Sequence, residues 1–340
     1  MVEIRMKRRQ ALTGAAGLAA GAMFPRIGRA GTPLNVGALR FTSHAASFVA
    51  FERGYFADEG LDVTFRFFEA AQPMAVAIAS GDADFSVTSV TGGLVSLAQK
   101  GAVKVIGGAL QEEKGIDGQM ILASEAAYAD GLTSPGDLAG RTFGITTAGS
   151  SFHYMAAKIA EREGIADLRL KPLQKVPAII GALKSGQIDA WSIVPHIGKP
   201  LVESGAVRHI GMVADFIPDY QVTTVFTSTA NAVDDRPRTE AFLRAFSRGA
   251  DDFDAALVDR TLGEDKATEM VELIHKYVYA DKPYEEAEKS IRDGAMRINR
   301  DAALNVTSVG DQLGWFKSEG LVDEDVGMDT LVDSSYVRTF

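Results

Sequence analysis

Two stretches of the chain share one pattern, AIASGDADF at residues 77–85 and ALKSGQIDA at residues 182–190. Each is typical of a helix end followed by Ser-Gly-x-x-Asp and a short apolar strand. The glycine suits the left-handed conformation that closes a helix. Upstream, residues 34–39, 46–59 and 61–67 match residues 141–146, 152–163 and 168–173 as strand, helix and strand. The chain therefore contains two strand-helix-strand-helix-strand units between residue 33 and about residue 215.

Strands that alternate with amphipathic helices predict parallel sheets covered by helices on both faces. Two such units predict an α/β protein with two doubly wound lobes. Strand-like stretches at residues 120–123 and 222–227 stand where the chain passes between the lobes, which predicts a two-strand hinge. We therefore assign residues 31–122 and 222–340 to lobe 1 and residues 123–221 to lobe 2. The C-terminal part is predicted to form helices at residues 239–257, 263–277, 284–297 and 306–318.

Composition excludes several classes of protein. Of the 340 residues, 46% are hydrophobic and 24% are charged, as in a globular protein. The chain has no cysteine, which excludes disulfides, thiolate metal sites and cysteine nucleophiles. Acidic residues outnumber basic ones by 45 to 35 without any basic stripe, so we expect no nucleic-acid partner. No run of eighteen apolar residues occurs, so no transmembrane helix is predicted.

The first thirty residues have the pattern of an export signal. Basic residues around Arg8 and Arg9 precede an uncharged, alanine-rich stretch that ends at Gly28-Arg29-Ala30. The arginine pair is typical of the twin-arginine class, and Met6 is an alternative start. Cleavage after Ala30 would leave 29 basic against 44 acidic residues, a net charge near −15. We expect a periplasmic protein; a surface helix is the alternative interpretation of this segment.

The run FVAFERGYFADEGLDV at residues 48–63 resembles the opening of periplasmic solute-binding proteins of the nitrate, sulfonate, taurine and thiamine-pyrimidine-precursor type. DLAGRTFGI at residues 137–145, with Gly149-Ser150-Ser151, resembles the start of that family's second lobe, and the likeness covers about residues 34–230. It implies a type II periplasmic binding protein fold. It also implies a monomer that closes on a small solute and delivers it to the permease of an ATP-binding-cassette (ABC) importer, with no cofactor. Ile193 to His196 depart from the tryptophan and acidic residue common in the sulfonate and nitrate relatives, so ligand identity does not transfer.

Ligands of open parallel sheets bind beyond the carboxyl ends of the strands, so the candidate binding residues lie in the loops there. Two loops rich in hydroxyls each open a helix, whose first N–H groups and dipole favour an anion; ordinary helix capping is the alternative. Their candidates are Thr88, Ser89, Thr91, Thr147, Gly149, Ser150 and Ser151. The other loop candidates are a clamp for an acidic group (Arg40, for which a solvated loop arginine is the alternative), hydrogen-bonding residues (His44, His196), walls (Phe41, Phe68, Trp191), and Thr42, Gln111 and Pro195. Trp191 suits the core equally well.

Other kinds of site find less support in the sequence. His44, His153 and His196 lack the fixed spacing of a metal site, so none is predicted. Two enzymes resemble this family, a cysteine-dependent desulfinase and a chorismate dehydratase; the first needs a cysteine, and the second is cytoplasmic. We therefore expect a binding protein without catalytic residues. A periplasmic sensor subunit that docks on a receptor is the alternative, followed by an enzyme on the same fold.

Overall fold

The computed structural model describes residues 31–340. The predicted export signal lies outside the described residues. Two five-stranded sheets form the framework of the described chain. Their strands are β1 Thr32–Leu39, β2 Leu61–Phe68, β3 Phe85–Thr88, β4 Val103–Gly108, β5 Met120–Ser124, β6 Thr142–Ile145, β7 Arg169–Pro172, β8 Ala190–Ile193, β9 Val207–Met212 and β10 Thr224–Ser228.

The two sheets have the same strand order. It is β2-β1-β3-β10-β4 in the first and β7-β6-β8-β5-β9 in the second. Both sheets are mixed rather than parallel throughout, because β10 runs antiparallel to β3 and β4, and β5 runs antiparallel to β8 and β9. Each antiparallel strand enters its sheet directly from the other half of the chain, without the helical crossover that a parallel strand requires.

The helices are α1 Ala45–Glu52, α2 Tyr55–Asp58, α3 Ala71–Ser80, α4 Gly92–Gln99, α5 Glu125–Ala129, α6 Ser151–Glu163, α7 Val176–Lys184, α8 Pro195–Glu203, α9 Thr229–Asp234, α10 Arg236–Phe253, α11 Glu264–His275, α12 Tyr284–Arg292, α13 Val306–Ser318 and α14 Met328–Leu331. The predicted helix over 284–297 ends at Arg292, before Gly294. A side chain there would collide with His196, since an added Cβ lies 2.2 Å from the Cβ of His196. The C-terminal part therefore packs against the second sheet's helices as well as the first's, with α12 on α8 and α10 on α1.

The repeated Ser-Gly-x-x-Asp motif joins strands within each sheet. Gly81 ends α3 with a φ of 81°, and Gly186 follows α7 with a φ of 72°. The carboxylate of Asp84 accepts a hydrogen bond from the backbone N–H of Asn35 in β1 at 2.8 Å. Asp189 repeats this contact with the backbone N–H of Thr142 in β6 at 2.7 Å. Each motif thus reverses the chain and fixes the third strand of its unit beside the first.

The two segments that connect the sheets run side by side. Glu112 donates its backbone N–H to the carbonyl of Tyr220 at 2.9 Å, and Val222 donates to Leu110 at 2.9 Å. We call residues 109–119 and 213–223 the connecting segments. Among residues 31–340, no helix has the length and apolar character needed to cross a membrane. The apolar cores fill the space between sheets and helices, as where Phe85 stacks on Phe242 with ring centroids 4.2 Å apart.

Candidate ligand-binding cleft

A small cavity lies between the two sheets' loops. We call it the inner cavity; its volume is about 50 Å³, room for roughly three to five water-sized groups. Its lining includes the ends of β1, β3 and β8 at Leu39, Thr88 and Ile193, and the loop after β6 at Thr146. The carboxyl ends of parallel strands from both sheets therefore meet at this point, where ligands of such folds bind.

The lining of the inner cavity combines apolar and polar residues and contains no charged side chain. The polar lining residues are all buried, and they are Ser43, His44, Thr88, Ser89, Gln119, Thr146, Ser150, Ser151 and Thr223. The Nε2 of Gln119 is buried without a hydrogen-bond partner. A buried polar group normally has a partner, so this amide has hydrogen-bonding capacity left for a ligand.

His44 presents a defined hydrogen-bond donor to the inner cavity. The backbone N–H of Leu39 donates to Nδ1 of His44 at 3.3 Å, so the proton of the neutral ring resides on Nε2. Burial lowers the pKa of His44 to about 3, which keeps the ring neutral at physiological pH. Nε2 is buried and has no partner among residues 31–340. A ligand in the cavity can therefore receive an N–H donor without a formal charge.

A second, larger space adjoins the inner cavity. We call it the outer groove; it has a volume of about 450 Å³ and shares Phe41 and Val176 with the cavity. Most of its other lining residues are apolar. They are Phe67, Phe68, Pro177, Ile180, Ile197, Pro200 and Leu201, with Tyr279 and His196. The groove is formed by β2, α7, α8 and the C-terminal segment, so elements of both lobes build it.

Hydrogen bonds and ion pairs join the loops across the cleft. Gly92 donates its backbone N–H to the carbonyl of Gly149 at 2.9 Å, and the Ser89 hydroxyl donates to that of Ser151 at 3.2 Å. At the edge of the cleft, Lys175 pairs with Glu69 at 3.1 Å, with both side chains more than half exposed. The loops are thus joined by backbone and small side chains inside the cleft and by one ion pair at its edge.

Comparison with known proteins identifies the family to which the chain belongs. A search among proteins of curated function finds no significant match. A family model described as "NMT1/THI5 like" matches residues 41–255, more than half of the chain. The chain belongs to the NMT1/THI5-like family. The predicted family resemblance is confirmed.

Solved structures share the fold of this NMT1/THI5-like protein at low sequence identity. The alkanesulfonate-binding protein SsuA from Xanthomonas axonopodis pv. citri, bound to MOPS, has 16% identity and a TM-score of 0.70 over 89% of this chain and 99% of that chain. The nitrate-binding protein NrtA from Synechocystis PCC 6803 has 14% identity and a TM-score of 0.68 over 88% and 84%. A Candida albicans protein with "the generic periplasmic binding protein structural fold" has 16% identity and a TM-score of 0.66 over 90% and 97%. The predicted periplasmic binding protein fold is confirmed.

The structure brings together six of the sixteen candidate residues of this NMT1/THI5-like protein at the inner cavity. These are Phe41, His44, Thr88, Ser89, Ser150 and Ser151. Arg40, Phe68 and His196 line the outer groove, together with Phe41. Arg40 is exposed, donates to the carbonyl of Tyr277 at 3.1 Å and lies over the ring of Phe67 at 3.8 Å. Its guanidinium is therefore engaged outside the cavity.

The remaining candidates are not among the lining residues of either space. Trp191 is 0% exposed and packs on Phe152 at 5.4 Å, as a core residue does. Thr91 caps α4 by accepting from the N–H of Leu94 and donates its hydroxyl to Gln72 at 2.9 Å. The others occupy the turn before α1, the connecting segments, the loop before α6 and the first turn of α8. They are Thr42, Gln111, Thr147, Gly149 and Pro195.

The helix start at α6 uses much of its own donor capacity. Ser150 caps the helix by accepting from the N–H of His153 at 3.4 Å. The N–H of Ser150 donates to the carbonyl of Thr147 at 3.1 Å, and the N–H of Gly149 donates to Nδ1 of His153 at 3.1 Å. The side chain of Ser150 therefore caps α6, and both Ser150 and Ser151 line the cavity.

Sequence reasoning missed several lining residues, of which Gln119 and Thr223 were accessible to it. Both residues directly precede a strand, β5 and β10 respectively. Because these strands run antiparallel to their neighbours, their first residues lie at the edge where the parallel strands end. Ligand-binding residues are expected after the last residue of a parallel strand, and for the antiparallel strands β5 and β10 the same edge of the sheet lies before the first residue. That argument would have identified both Gln119 and Thr223. Phe152, Val176 and Tyr279 carry no such signal.

A buried carboxyl lies behind the cavity wall. Glu112 is 0% exposed, and its Oε1 accepts from the backbone N–H of Gln119 at 3.0 Å. Its Oε2 and the hydroxyl of neighbouring Tyr220 are buried without partners. Burial raises the pKa of Glu112 to about 7, against the opposing effect of the backbone hydrogen bond from Gln119. Among residues 31–340, no three His, Asp or Glu side chains converge to hold a metal ion.

Proposed function

We propose that this protein is the solute-binding component of an ABC-type importer and that it holds a small polar or anionic organic solute in the inner cavity. One observation carries the proposal. A cavity with nine buried polar residues in its lining is built from strand ends of both sheets and contains hydrogen-bonding groups, His44 Nε2 and Gln119 Nε2, that the protein itself does not use. Such unpaired groups are costly in an unoccupied core and useful in a binding site.

Family and fold support this proposal. The NMT1/THI5-like model covers the cavity lining from Phe41 to Thr223, which is every lining residue except Leu39 at the end of β1. The solved neighbours include proteins described as binding alkanesulfonate and nitrate. Both are small, polar solutes, and we extend that size class to this chain.

The chemistry of the lining favours recognition by neutral donors. Hydroxyls, one amide and a neutral imidazole are the polar groups of the lining, beside ten apolar residues, and neither arginine nor lysine is part of it. An acidic head group would therefore rely on hydrogen bonds alone, in a protein whose net charge is already negative. An uncharged polar head group would not meet this long-range repulsion. A ligand screen must therefore include both classes.

The proposal includes no catalytic step. The lining offers no cysteine, lysine or carboxylate to act as nucleophile or general acid and base. One neighbour, a cysteine-to-serine mutant of DSZB in complex with biphenyl-2-sulfinic acid, has 13% identity and a TM-score of 0.55. The unmutated form of that protein has a cysteine at the mutated position, whereas this chain has none. We expect every bound compound to be recovered chemically unchanged after prolonged incubation, as judged by mass spectrometry.

The decisive experiment is to identify what the protein retains. Mass spectrometry of small molecules released from protein purified without refolding should reveal one compound in near-stoichiometric amount. A thermal-shift screen of sulfonates, carboxylates, nitrate and pyrimidines provides a second measurement, because a ligand at 100 times its Kd stabilises the folded state by about 2.7 kcal/mol. Ser151→Phe should fill the cavity and abolish both signals. Ser318→Phe, at a site on α13 outside both spaces, is the matched control. Retention of the compound by Ser151→Phe would contradict the proposed site.

Export, partner and oligomeric state are further parts of the proposal. Replacement of Arg8 and Arg9 by lysine should trap an uncleaved precursor in the cytoplasm. Crosslinking of the exported protein to membranes should recover an ABC permease; recovery of a receptor would favour a sensor subunit instead. Light scattering should report a monomer with and without solute.

A further inference from the structure

One aromatic side chain is shared by the linings of the inner cavity and the outer groove. Phe41 lines both spaces. Its ring meets the ring of His44 edge-on at 6.1 Å and the ring of His196 at 5.2 Å. His44 belongs to the cavity lining and His196 to the groove lining, so a histidine flanks Phe41 on either side.

His196 has hydrogen-bonding atoms that the protein does not use. It is 1% exposed, and both of its ring nitrogens are buried without a partner among residues 31–340. Its backbone is held in place, because its carbonyl accepts from the hydroxyl of Tyr279 at 2.7 Å. Gly294 also lies directly against its Cβ. A fixed, buried imidazole with two unpaired nitrogens beside an open space indicates a polar atom supplied from outside the protein.

The outer groove has the character of a site for an apolar group. Phe67, Ile180, Ile197 and Leu201 contribute apolar surface from three elements of both lobes. The groove lining also contains three exposed charged residues, and each has a partner: Arg40 lies over Phe67, Lys282 lies over Tyr279 at 4.5 Å, and Glu69 pairs with Lys175. The groove holds about 450 Å³ against about 50 Å³ for the cavity, so a molecule that used both would have most of its volume in the groove.

We propose that the ligand is a two-part molecule, with a compact polar head in the inner cavity and an elongated alkyl or aryl body that displaces the ring of Phe41 and lies in the outer groove. A polar atom of the body next to Phe41 hydrogen-bonds to His196. This inference rests on the proposed function and specifies its substrate class. A solute confined to the inner cavity is the competing arrangement, in which the groove is only the route of entry.

Calorimetry with two homologous series tests the proposal. The probes are unbranched primary amides and unbranched alkanesulfonates of two to eight carbons, which share a body and differ in head charge. In at least one series, Kd should fall about fourfold for each CH₂ buried in the groove, equivalent to about 0.8 kcal/mol. Ile180→Ser and Leu201→Ser should at least halve that dependence on chain length and leave the affinity of the two-carbon member unchanged. Val233→Ser, at a site 66% exposed on α9, is the control.

An ether oxygen in place of the methylene next to Phe41 tests His196. In wild type, the ether probe should bind at least as tightly as its parent, because His196 replaces the water that the oxygen loses. In His196→Phe, which keeps a ring of similar size, the ether probe should bind at least tenfold more weakly than its parent. Equal affinity for both probes in His196→Phe would overturn the assigned hydrogen bond.

Three results would overturn the two-part ligand. Affinity could be independent of chain length, or neither series could bind. The third result is a change in Kd per CH₂ that is the same in Ile180→Ser and Leu201→Ser as in the wild type. The proposed function is judged separately by the compound released from purified protein. A retained compound without an apolar body would support the function and refute this inference. Absence of any retained or stabilising compound would count against the function itself.

Discussion

The hydroxyl of Ser89 donates to the hydroxyl of Ser151 across the cleft at 3.2 Å, and both side chains line the inner cavity. The backbone bond from Gly92 to Gly149 lies close by and also joins the two loops. No side chain longer than serine separates the loops at these two contacts. Closure therefore requires that the residues at these positions remain small.

Gly149→Ala should weaken ligand binding, because alanine strains the left-handed backbone whose carbonyl accepts the hydrogen bond from Gly92 across the cleft. Gly149 has a φ of 71°, and an added Cβ would lie 3.4 Å from the nitrogen of Gly92. Gly164→Ala is a matched control, because Gly164 has a φ of 68° at the end of α6 with open space around its Cβ position. Each substitution should cost about 1–2 kcal/mol of stability through left-handed backbone strain. We expect only Gly149→Ala to enlarge the radius of gyration of the ligand-bound protein in solution scattering.

If both glycine variants close normally on the retained solute, the loop contact at Gly149 is not a condition of closure. If both fail, general destabilisation explains the loss, and melting temperatures would show it.

Ser150 and Ser151 should separate into a capping residue and a binding residue. Ser150→Ala removes the cap of α6 and should cost about 1 kcal/mol of stability with little change in affinity. Ser151→Ala removes a cavity hydroxyl and should lower affinity by about 1 kcal/mol, roughly fivefold, without a lower melting temperature. Calorimetry and thermal unfolding on both variants provide the comparison. The reverse pattern would assign recognition to Ser150.

The sequence predicted the architecture because the determinants of each lobe are local. The carboxylates of Asp84 and Asp189 in the repeated motif accept hydrogen bonds from the first strand of their own unit. The strand arrangement of each unit therefore depends on residues of that unit alone. Strand-end loops then placed His44 and Ser151 at the cavity by topology alone. These inferences needed no knowledge of how the lobes face each other.

The remaining lining residues of the cleft depend on how the two lobes are oriented relative to each other. Val176 and Phe152 lie on helices, and which face of a helix meets the other lobe follows from three-dimensional packing rather than from periodicity. Tyr279 comes from a C-terminal segment without a counterpart in the repeat. Trp191 lies in a strand in which every residue is buried. Because apolar and polar residues do not alternate along this strand, the sequence could not assign the Trp191 side chain to the cleft or to the core.

His44→Gln and His44→Asn should separate the two hydrogen bonds of this ring. The amide nitrogen of glutamine can replace Nε2, whereas the amide oxygen of asparagine can replace Nδ1, the acceptor of the Leu39 N–H. We expect His44→Asn to retain stability and lose affinity. His44→Gln should retain more affinity and lose about 1–3 kcal/mol of stability, because the buried N–H of Leu39 loses its acceptor.

Because the pKa of His44 is about 3, the ring stays neutral and its contribution to binding should be constant from about pH 5 to pH 8. Calorimetry of both variants across that range measures this. A wild-type affinity that rises as pH falls, and a flat profile in His44→Gln, would show that the ring binds its ligand as a cation.

Glu112→Gln should remove a pH dependence of stability that the wild type shows. Burial raises the pKa of Glu112 from 4.5 to about 7, so its neutral form is favoured in the folded state. For a raised pKa, the stabilising contribution is complete below the unfolded-state value and is lost as pH rises through the folded-state value. The wild type should therefore lose about 3 kcal/mol of unfolding free energy as pH rises from 4.5 through 7.

Urea unfolding of the wild type and of Glu112→Gln at about pH 5 and pH 8 gives the difference between their free energies of unfolding at each pH. Asp254, whose pKa is also raised to about 7 by burial, titrates in the same window but is present in both proteins, so its contribution cancels. Glu324→Gln, at an exposed loop position, should follow the wild type at both pH values. The free energy of unfolding of Glu112→Gln minus that of the wild type should be about 3 kcal/mol larger at the higher pH than at the lower one. An equal difference at the two pH values would show that Glu112 ionises as an ordinary carboxyl, and that the connecting segments carry a buried charge behind Gln119.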